Sequence, residues 1–162
     1  MEHPPRLERT ALVVDDDVFV LSALAELLED DGFDVQTATN GFSALRRAVE
    51  TRPSVILLDL ALPERSGSEL LGDLRTEPAT RDVAIVLVTA FADRLSEAEL
   101  TEVDGVVPKP FDANDLLETV QRALHRAACR RSEVAPVLTP SHRDPSLRTR
   151  RTAPTRRTRG RR

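Results

Sequence analysis

Tryptophan and tyrosine are absent from the chain, and cysteine and methionine occur once each. A lone cysteine, Cys129, excludes an intrachain disulfide framework and a cysteine-based zinc site, and it fits a reducing compartment. The only aromatics are five Phe, none beyond Phe111, so the arginine-rich C-terminal stretch has no interleaved rings on which bases could stack. The six glycines are scattered from Gly32 to Gly160, which excludes a glycine-rich phosphate loop. No apolar run approaches the ~20 residues needed to span a bilayer. The opening Met-Glu-His-Pro-Pro-Arg has no apolar signal core behind it, so a cytoplasmic protein with no membrane contact is expected. Lysine is equally scarce. Lys109, between Pro108 and Pro110, is the only one.

Charge is plentiful but unevenly placed. Residues 1–129 hold 12 Lys and Arg against 25 Asp and Glu, whereas residues 130–162 hold 11 Arg against Glu133 and Asp144. An acidic folded body followed by a basic segment is the reading. At 162 residues the length suits one domain with one core.

Hydrophobic patterning divides residues 10–128 into alternating strands and helices. Thr10–Val14, Ser54–Leu58 and Val83–Val88 are short and almost wholly apolar, as strands buried on both faces of a parallel sheet are. Phe33–Ala38 alternates, which suits a strand nearer an edge, and Asp104–Val107 gives a brief fifth strand. Between them, Val18–Leu28 carries Leu21, Leu24 and Leu28 at helical spacing, with Gly32 closing the helix. Phe42–Glu50 reads as a helix with Phe42, Leu45 and Val49 on one side. Another follows Ser66 or Ser68 to Arg75, a charged one covers Phe91–Val103, and the last runs from Asp112 to Ala128. Five strand–helix alternations predict an α/β fold: a doubly wound, five-stranded parallel sheet with helices on both faces. Residues 1–9 are expected to be a flexible lead-in. Residues 129–162, rich in Arg, Thr and Pro, lack the apolar surface to offset ordering entropy, so a disordered tail is expected.

Four strand ends carry chemistry: Asp15-Asp16-Asp17, Asp59, Thr89 and Lys109. In a parallel sheet they emerge at one edge, where open α/β sheets bind ligands. Clustered carboxylates repel unless a positive charge is shared among them. Two or three carboxylates beside a lysine make a hard-oxygen site suited to Mg²⁺. Lysine and metal supply positive charge where phosphoryl oxygens would sit, and the Thr89 hydroxyl is placed to hydrogen-bond one of them. A carboxylate in line with a phosphoryl donor is a nucleophile that yields an aspartyl phosphate.

These residues, with Leu57-Leu58-Asp59 followed by Pro63 and Gly67, and with Val88-Thr89-Ala90 and Lys109-Pro110-Phe111, resemble the receiver domain of two-component response regulators over residues 10–128. The resemblance implies a flavodoxin-like fold. It makes Asp15 and Asp16 the metal-holding pair, with Asp16 the direct ligand, and Asp59 the phosphoacceptor. The backbone carbonyl of Ala61 would complete the metal shell, and Thr89 and Lys109 would contact the phosphoryl oxygens. Asp17 then reads as a helix-start residue, and Lys109-Pro110 as a cis peptide bond. The partners implied are a histidine kinase or phosphotransfer protein and a downstream protein effector, with the chain a switch more than an enzyme with turnover.

The chain departs from the family where receivers usually carry Tyr or Phe, three residues before the lysine; Val106 stands there. An altered output switch is expected, and Ala61 and Phe91, which cannot hydrogen-bond water through their side chains, point to slow autodephosphorylation. Two rivals remain: a nucleic-acid-associated regulator binding non-specifically through the basic tail, and a docking-only pseudo-receiver. A haloacid-type phosphatase would need a second Asp two residues after the nucleophile, and Ala61 occupies that place. His3, His125 and His142 read as solvated surface residues.

Overall fold

The computed structural model describes residues 9–134. Five parallel strands form one sheet: β1 (Thr10–Val14), β2 (Asp34–Ala38), β3 (Val55–Leu58), β4 (Ala84–Thr89) and β5 (Gly105–Pro108). Their spatial order is β2-β1-β3-β4-β5. The helices are α1 (Val18–Asp30), α2 (Gly41–Thr51), α3 (Gly67–Thr76), α4 (Glu97–Glu102) and α5 (Ala113–Val134), with a single 3-10 turn at Ala92–Arg94. The expected doubly wound α/β fold is the one observed.

Two cores, one on each side of the sheet, explain the apolar runs. Alternate strand residues Ala11, Val13, Val55, Leu57, Val86 and Val88 face α1 and α5, through Leu21, Leu24, Leu116 and Val120 among others. The intervening residues Leu12, Val14, Ile56, Leu58, Ile85 and Leu87 face α2 and α3, through Ala44, Ala48, Leu70 and Leu74. Both faces of the central strands are therefore sealed, so period-two alternation cannot show in their sequence. Each fully buried Leu or Ile contributes about 1.5–3 kcal/mol relative to exposure, so this layer dominates the stability of the domain.

The helix starts follow local chemistry. Asp17, expected at a helix start, is the N-cap of α1, its carboxylate accepting from the backbone N–H of Phe19 and Val20. Asn40 caps α2 and Ser66 caps α3 in the same way. Gly32 follows α1 with φ 95°, the left-handed region that glycine enters without a Cβ clash.

Three expectations are revised. First, the apolar side of α2 is not its buried side: Gly41, Ala44 and Ala48 are buried and Leu45 packs against the core, while Phe42 is 62% and Val49 38% exposed. Small residues inward let the helix approach the sheet closely. Second, the expected helix over Phe91–Val103 is broken, because only Glu97–Glu102 is α-helical after the 3-10 turn. Third, α5 continues to Val134, past the expected end at Ala128, so residues 129–134 belong to a helix rather than to a loose tail. The expected lead-in over residues 1–8 and the tail over residues 135–162 lie outside the described residues, as does any nucleic-acid contact assigned to that tail. Among the described residues no helix is long and apolar enough to cross a membrane.

Candidate functional site

Register brings the four strand ends together. Val14 pairs with Leu58 and Leu58 with Leu87, so β1 and β3 end side by side where the strand order reverses, with β4 beside them. The ends are tied by backbone hydrogen bonds from Asp59 N to Val14 O (3.0 Å), Asp15 N to Ala38 O (3.2 Å) and Lys109 N to Thr89 O (2.8 Å). Asp15, Asp59 and Thr89 are buried, while Asp16 is exposed.

At the centre stands the Lys109 ammonium. Its Nζ donates to Asp15 Oδ2 at 2.6 Å and to Asp59 Oδ2 at 2.7 Å. The remaining carboxylate oxygens are oriented from the backbone, Asp15 Oδ1 by the N–H of Asp17 (2.9 Å) and Asp59 Oδ1 by that of Ala61 (3.0 Å). Lys109 follows β5 through a cis peptide bond to Pro110. Thr89 Oγ1 accepts from Phe91 N at 3.1 Å.

Opposing forces set the protonation of this cluster. Burial raises the Asp15 carboxyl above its ordinary value, and the hydrogen bond from Lys109 only partly offsets it. For Lys109 the balance reverses: burial alone would lower its pKa, but the hydrogen bonds it donates to Asp15 and Asp59 together outweigh burial and raise it. The asymmetry is physical. The lysine meets two anions, whereas Asp15 meets one cation and the repulsion of Asp59.

Asp15, Asp16 and Asp59 each offer a carboxylate oxygen, and these lie within 4.8 Å of one another. Three hard oxygen donors, two of them buried and one open to water, fit a small divalent cation that keeps part of its hydration shell. The positions expected at the site from the sequence are thus brought together: Asp15, Asp16 and Asp59 as the oxygen cluster, Lys109 across two of them, and Ala61 and Thr89 at the rim. Asp17 is not among them, being engaged as a helix cap.

Beside Thr89 and Phe91 the wall includes two residues not expected at the site, Ser68 and Glu99. There a hollow of about 210 Å³ is lined by Leu60, Ala61, Thr89, Phe91, Ser68 and Glu99 among others. Glu99 joins two elements across it. Its Oε2 accepts from the backbone and hydroxyl of Ser96, closing a capping box on α4, and its Oε1 accepts from Ser68 Oγ of α3 at 2.5 Å. The Ser68 bond is the largest cause of a Glu99 pKa below the ordinary value. The spacing Ser96-x-x-Glu99 announces the box in the sequence; the reach to Ser68 has no local signal. Val106, at the position where an aromatic was expected, packs partly buried against the core on the α2–α3 side.

Gly67 fixes the loop after Asp59. A Cβ there would lie 2.3 Å from Leu60 Cα and 2.8 Å from Asp59 O, and its N–H donates to Leu60 O at 3.0 Å. Only a residue without a side chain allows this approach.

Comparisons with known proteins agree with the geometry. The family model described as the response regulator receiver domain matches residues 11–121. The chain is 37% identical over 120 residues to a transcriptional regulatory protein CpxR homolog of Haemophilus influenzae, covering 72% of this chain and 51% of that protein. It is 39% identical over 113 residues to the protein Rrf1 of Nitratidesulfovibrio vulgaris, covering 70% of this chain and 80% of that one. The chain thus spans only about half the length of the first of these relatives. Among solved structures, a putative response regulator from Chloroflexus aurantiacus superposes with a TM-score of 0.68 at 30% identity, covering 74% of this chain and 99% of that one. The response regulator TrrA of Thermotoga maritima, solved in complex with Mg²⁺-BeF, superposes with a TM-score of 0.66 at 31% identity, covering 71% and 98%. With matched residues running through every strand and every acidic strand end, the chain belongs to the response regulator receiver family of two-component signalling.

Proposed function

We propose that this protein is a phosphorylation-dependent switch that takes a phosphoryl group onto Asp59 from a histidine kinase or phosphotransfer protein. The observation that carries the reading is the Lys109 ammonium held between Asp15 and Asp59, with Asp16 completing an oxygen cluster at the same sheet edge. Mg²⁺ would be held by Asp15, Asp16 and Asp59, with the Ala61 carbonyl as a further ligand, and would supply charge neutralisation for the phosphoryl oxygens.

The chain's own residues do the rest. A carboxylate oxygen of Asp59 attacks phosphorus as the phosphorus–nitrogen bond to the donor imidazole breaks. The electron pair stays on that nitrogen, leaving a neutral imidazole once it is protonated, and an acyl phosphate forms on Asp59. The Lys109 ammonium, already bonded to Asp59, is placed to pair with the transferred oxygens, and Thr89, freed from the Phe91 N–H, to hydrogen-bond one of them. Output passes to a downstream protein that prefers one of the two conformations. Because Val106 has no ring, the readout is carried by the Thr89–Ser96 segment. Ala61 and Phe91 offer no side-chain hydrogen bond to attacking water, so the acyl phosphate is long-lived.

The test is phosphotransfer from a kinase panel and from a small phosphoryl donor, with wild type and Asp59→Ala compared. Label on wild type that resists hydroxylamine, or that persists in Asp59→Ala, would overturn the assignment. A phosphoryl half-life of seconds on the purified protein would overturn the slow hydrolysis. Family-like amide shifts along β5 with a phosphoryl mimic would overturn the altered readout.

A further inference from the structure

The turned helix α2 leaves large apolar side chains facing outward. Phe42 and Val49 lie seven residues apart on one stripe, 62% and 38% exposed, with Arg46 between them. A hollow of about 320 Å³ opens beside Phe42, lined by Asn40, Ser43 and Arg46 as well. Arg65, from the loop after β3, lays its guanidinium 5.5 Å from the Phe42 ring centre and pairs with Asp73, so the ring is held in place on its surface. Nothing in the phosphoryl site uses this stripe.

Its charge is unlike that of the body around it. Helix α2 and its cap carry Arg46, Arg47 and Arg52 against Glu50, whereas α1 carries Glu26, Glu29 and Asp30 and no cation. Arg47 is turned inward to the Thr37 carbonyl at 2.6 Å, but Arg46 makes no ion pair among the described residues. An apolar ridge flanked by guanidinium groups fits a helix whose own apolar ridge is flanked by carboxylates. The other occupants fit less well. Residues 135–162 carry nine Arg against Asp144 and share the stripe's sign. A second copy in a two-fold contact would offer the same surface, whose only carboxylate on α2 is Glu50, rather than an acidic one. Nucleic acid would meet the apolar Phe42 and Val49 where it needs a row of cations.

We propose that the outer face of α2 is a docking surface for an acidic amphipathic helix of a partner protein, seated on Phe42 and Val49 and paired with Arg46. It is independent of the phosphoryl chemistry, and so is its test. The full chain is titrated with a synthetic helical peptide of about 16 residues, leucines at helical spacing flanked by glutamates, and with the same peptide carrying lysines instead. Amide shifts are expected on α2 with the acidic peptide alone. Phe42→Ser and Arg46→Glu should each weaken binding at least about tenfold, while Phe19→Ser, an exposed ring elsewhere, should not. The proposal fails if no shift occurs at millimolar peptide, if the lysine peptide binds as well, if Phe42→Ser binds normally, or if the shifts fall on α1. Self-association through Phe42, or oligonucleotide binding lost in Arg46→Glu, would assign the face to those occupants and overturn it too.

Discussion

Replacing Lys109 by methionine should convert the centre of the site from a paired cluster into two buried, uncompensated carboxylates. The side chains of Asp15 and Asp59 are 2% and 8% exposed, and the one cation between them lies 2.6 and 2.7 Å away. Removing one member of a buried, hydrogen-bonded ion group costs about 3–5 kcal/mol, because the partner charge stays behind. In a domain of this size that lowers Tm by on the order of 10 °C. The penalty should depend on pH. Burial already holds Asp15 above its ordinary pKa of 3.8, and Lys109 is what restrains it. Without the lysine the folded state binds a proton at Asp15 more tightly than the unfolded chain does. Stability of the variant therefore falls as pH rises above 3.8 and levels off once the folded-state pKa is passed. The variant should lie close to wild type in acid and furthest from it near neutrality. Added Mg²⁺ should recover part of the loss, about 2.7 kcal/mol at a hundredfold excess over its dissociation constant. Urea unfolding of both proteins, near neutrality and near pH ~5, with Mg²⁺ or with chelator, measures all three effects. A neutral-pH penalty below about 1 kcal/mol would refute the account of the cluster. So would a penalty indifferent to pH and Mg²⁺.

Asp104→Ala should cost about 1–3 kcal/mol, since it leaves the buried Ile85 N–H unpaired and takes a carboxylate from the half-buried Arg75, which keeps its bonds to the Glu102, Arg81 and Val83 carbonyls; Arg130→Ala, whose side chain is 39% exposed, should cost about 1 kcal/mol or less in the same unfolding assay. Gly67→Ala should push the loop after β3 away from Leu60, costing about 1–3 kcal/mol and slowing phosphorylation of Asp59 in an acyl-phosphate assay. Glu99→Gln should destabilise at neutral pH and be silent in strong acid. The carboxyl's folded pKa is depressed, so its contribution is complete above the ordinary value of 4.5 and lost as pH falls through the lower folded value.

Much of this was legible because the sheet is buried on both faces. A strand such as Val55–Leu58 must be apolar throughout, so the charge that ends it at Asp59 stands out, and parallel topology alone collects Asp15, Asp59, Thr89 and Lys109. Helix α2 was misread for the converse reason. Periodicity weights large apolar residues, and Phe42 and Val49 gave a false inward stripe while Gly41, Ala44 and Ala48 did the packing. The short α4 has no signal in the helical pattern, since a single 3-10 turn follows Phe91 and the chain reaches the cap of α4 only at Ser96. Asp104 looked like the polar start of a strand. Its partners Arg75 and Arg130 are 29 and 26 residues away, and no local signal joins them.

Those partners have a mechanical meaning. The Asp104 carboxylate, at the N-terminal edge of the sheet, gathers guanidinium groups from α3 and α5 and a backbone N–H from β4, while Arg75 also holds the last carbonyl of α4. Helices and strands are thus riveted together at the end opposite the phosphoryl pocket, while at the pocket end the ties are the Lys109 ammonium between Asp15 and Asp59 and the Ser68–Glu99 bond from α3 to α4. A phosphoryl group on Asp59 would compete for Lys109 and so act on the ties of the pocket end, while the Asp104 clamp has no part in that chemistry and would keep β4, α3 and α5 together.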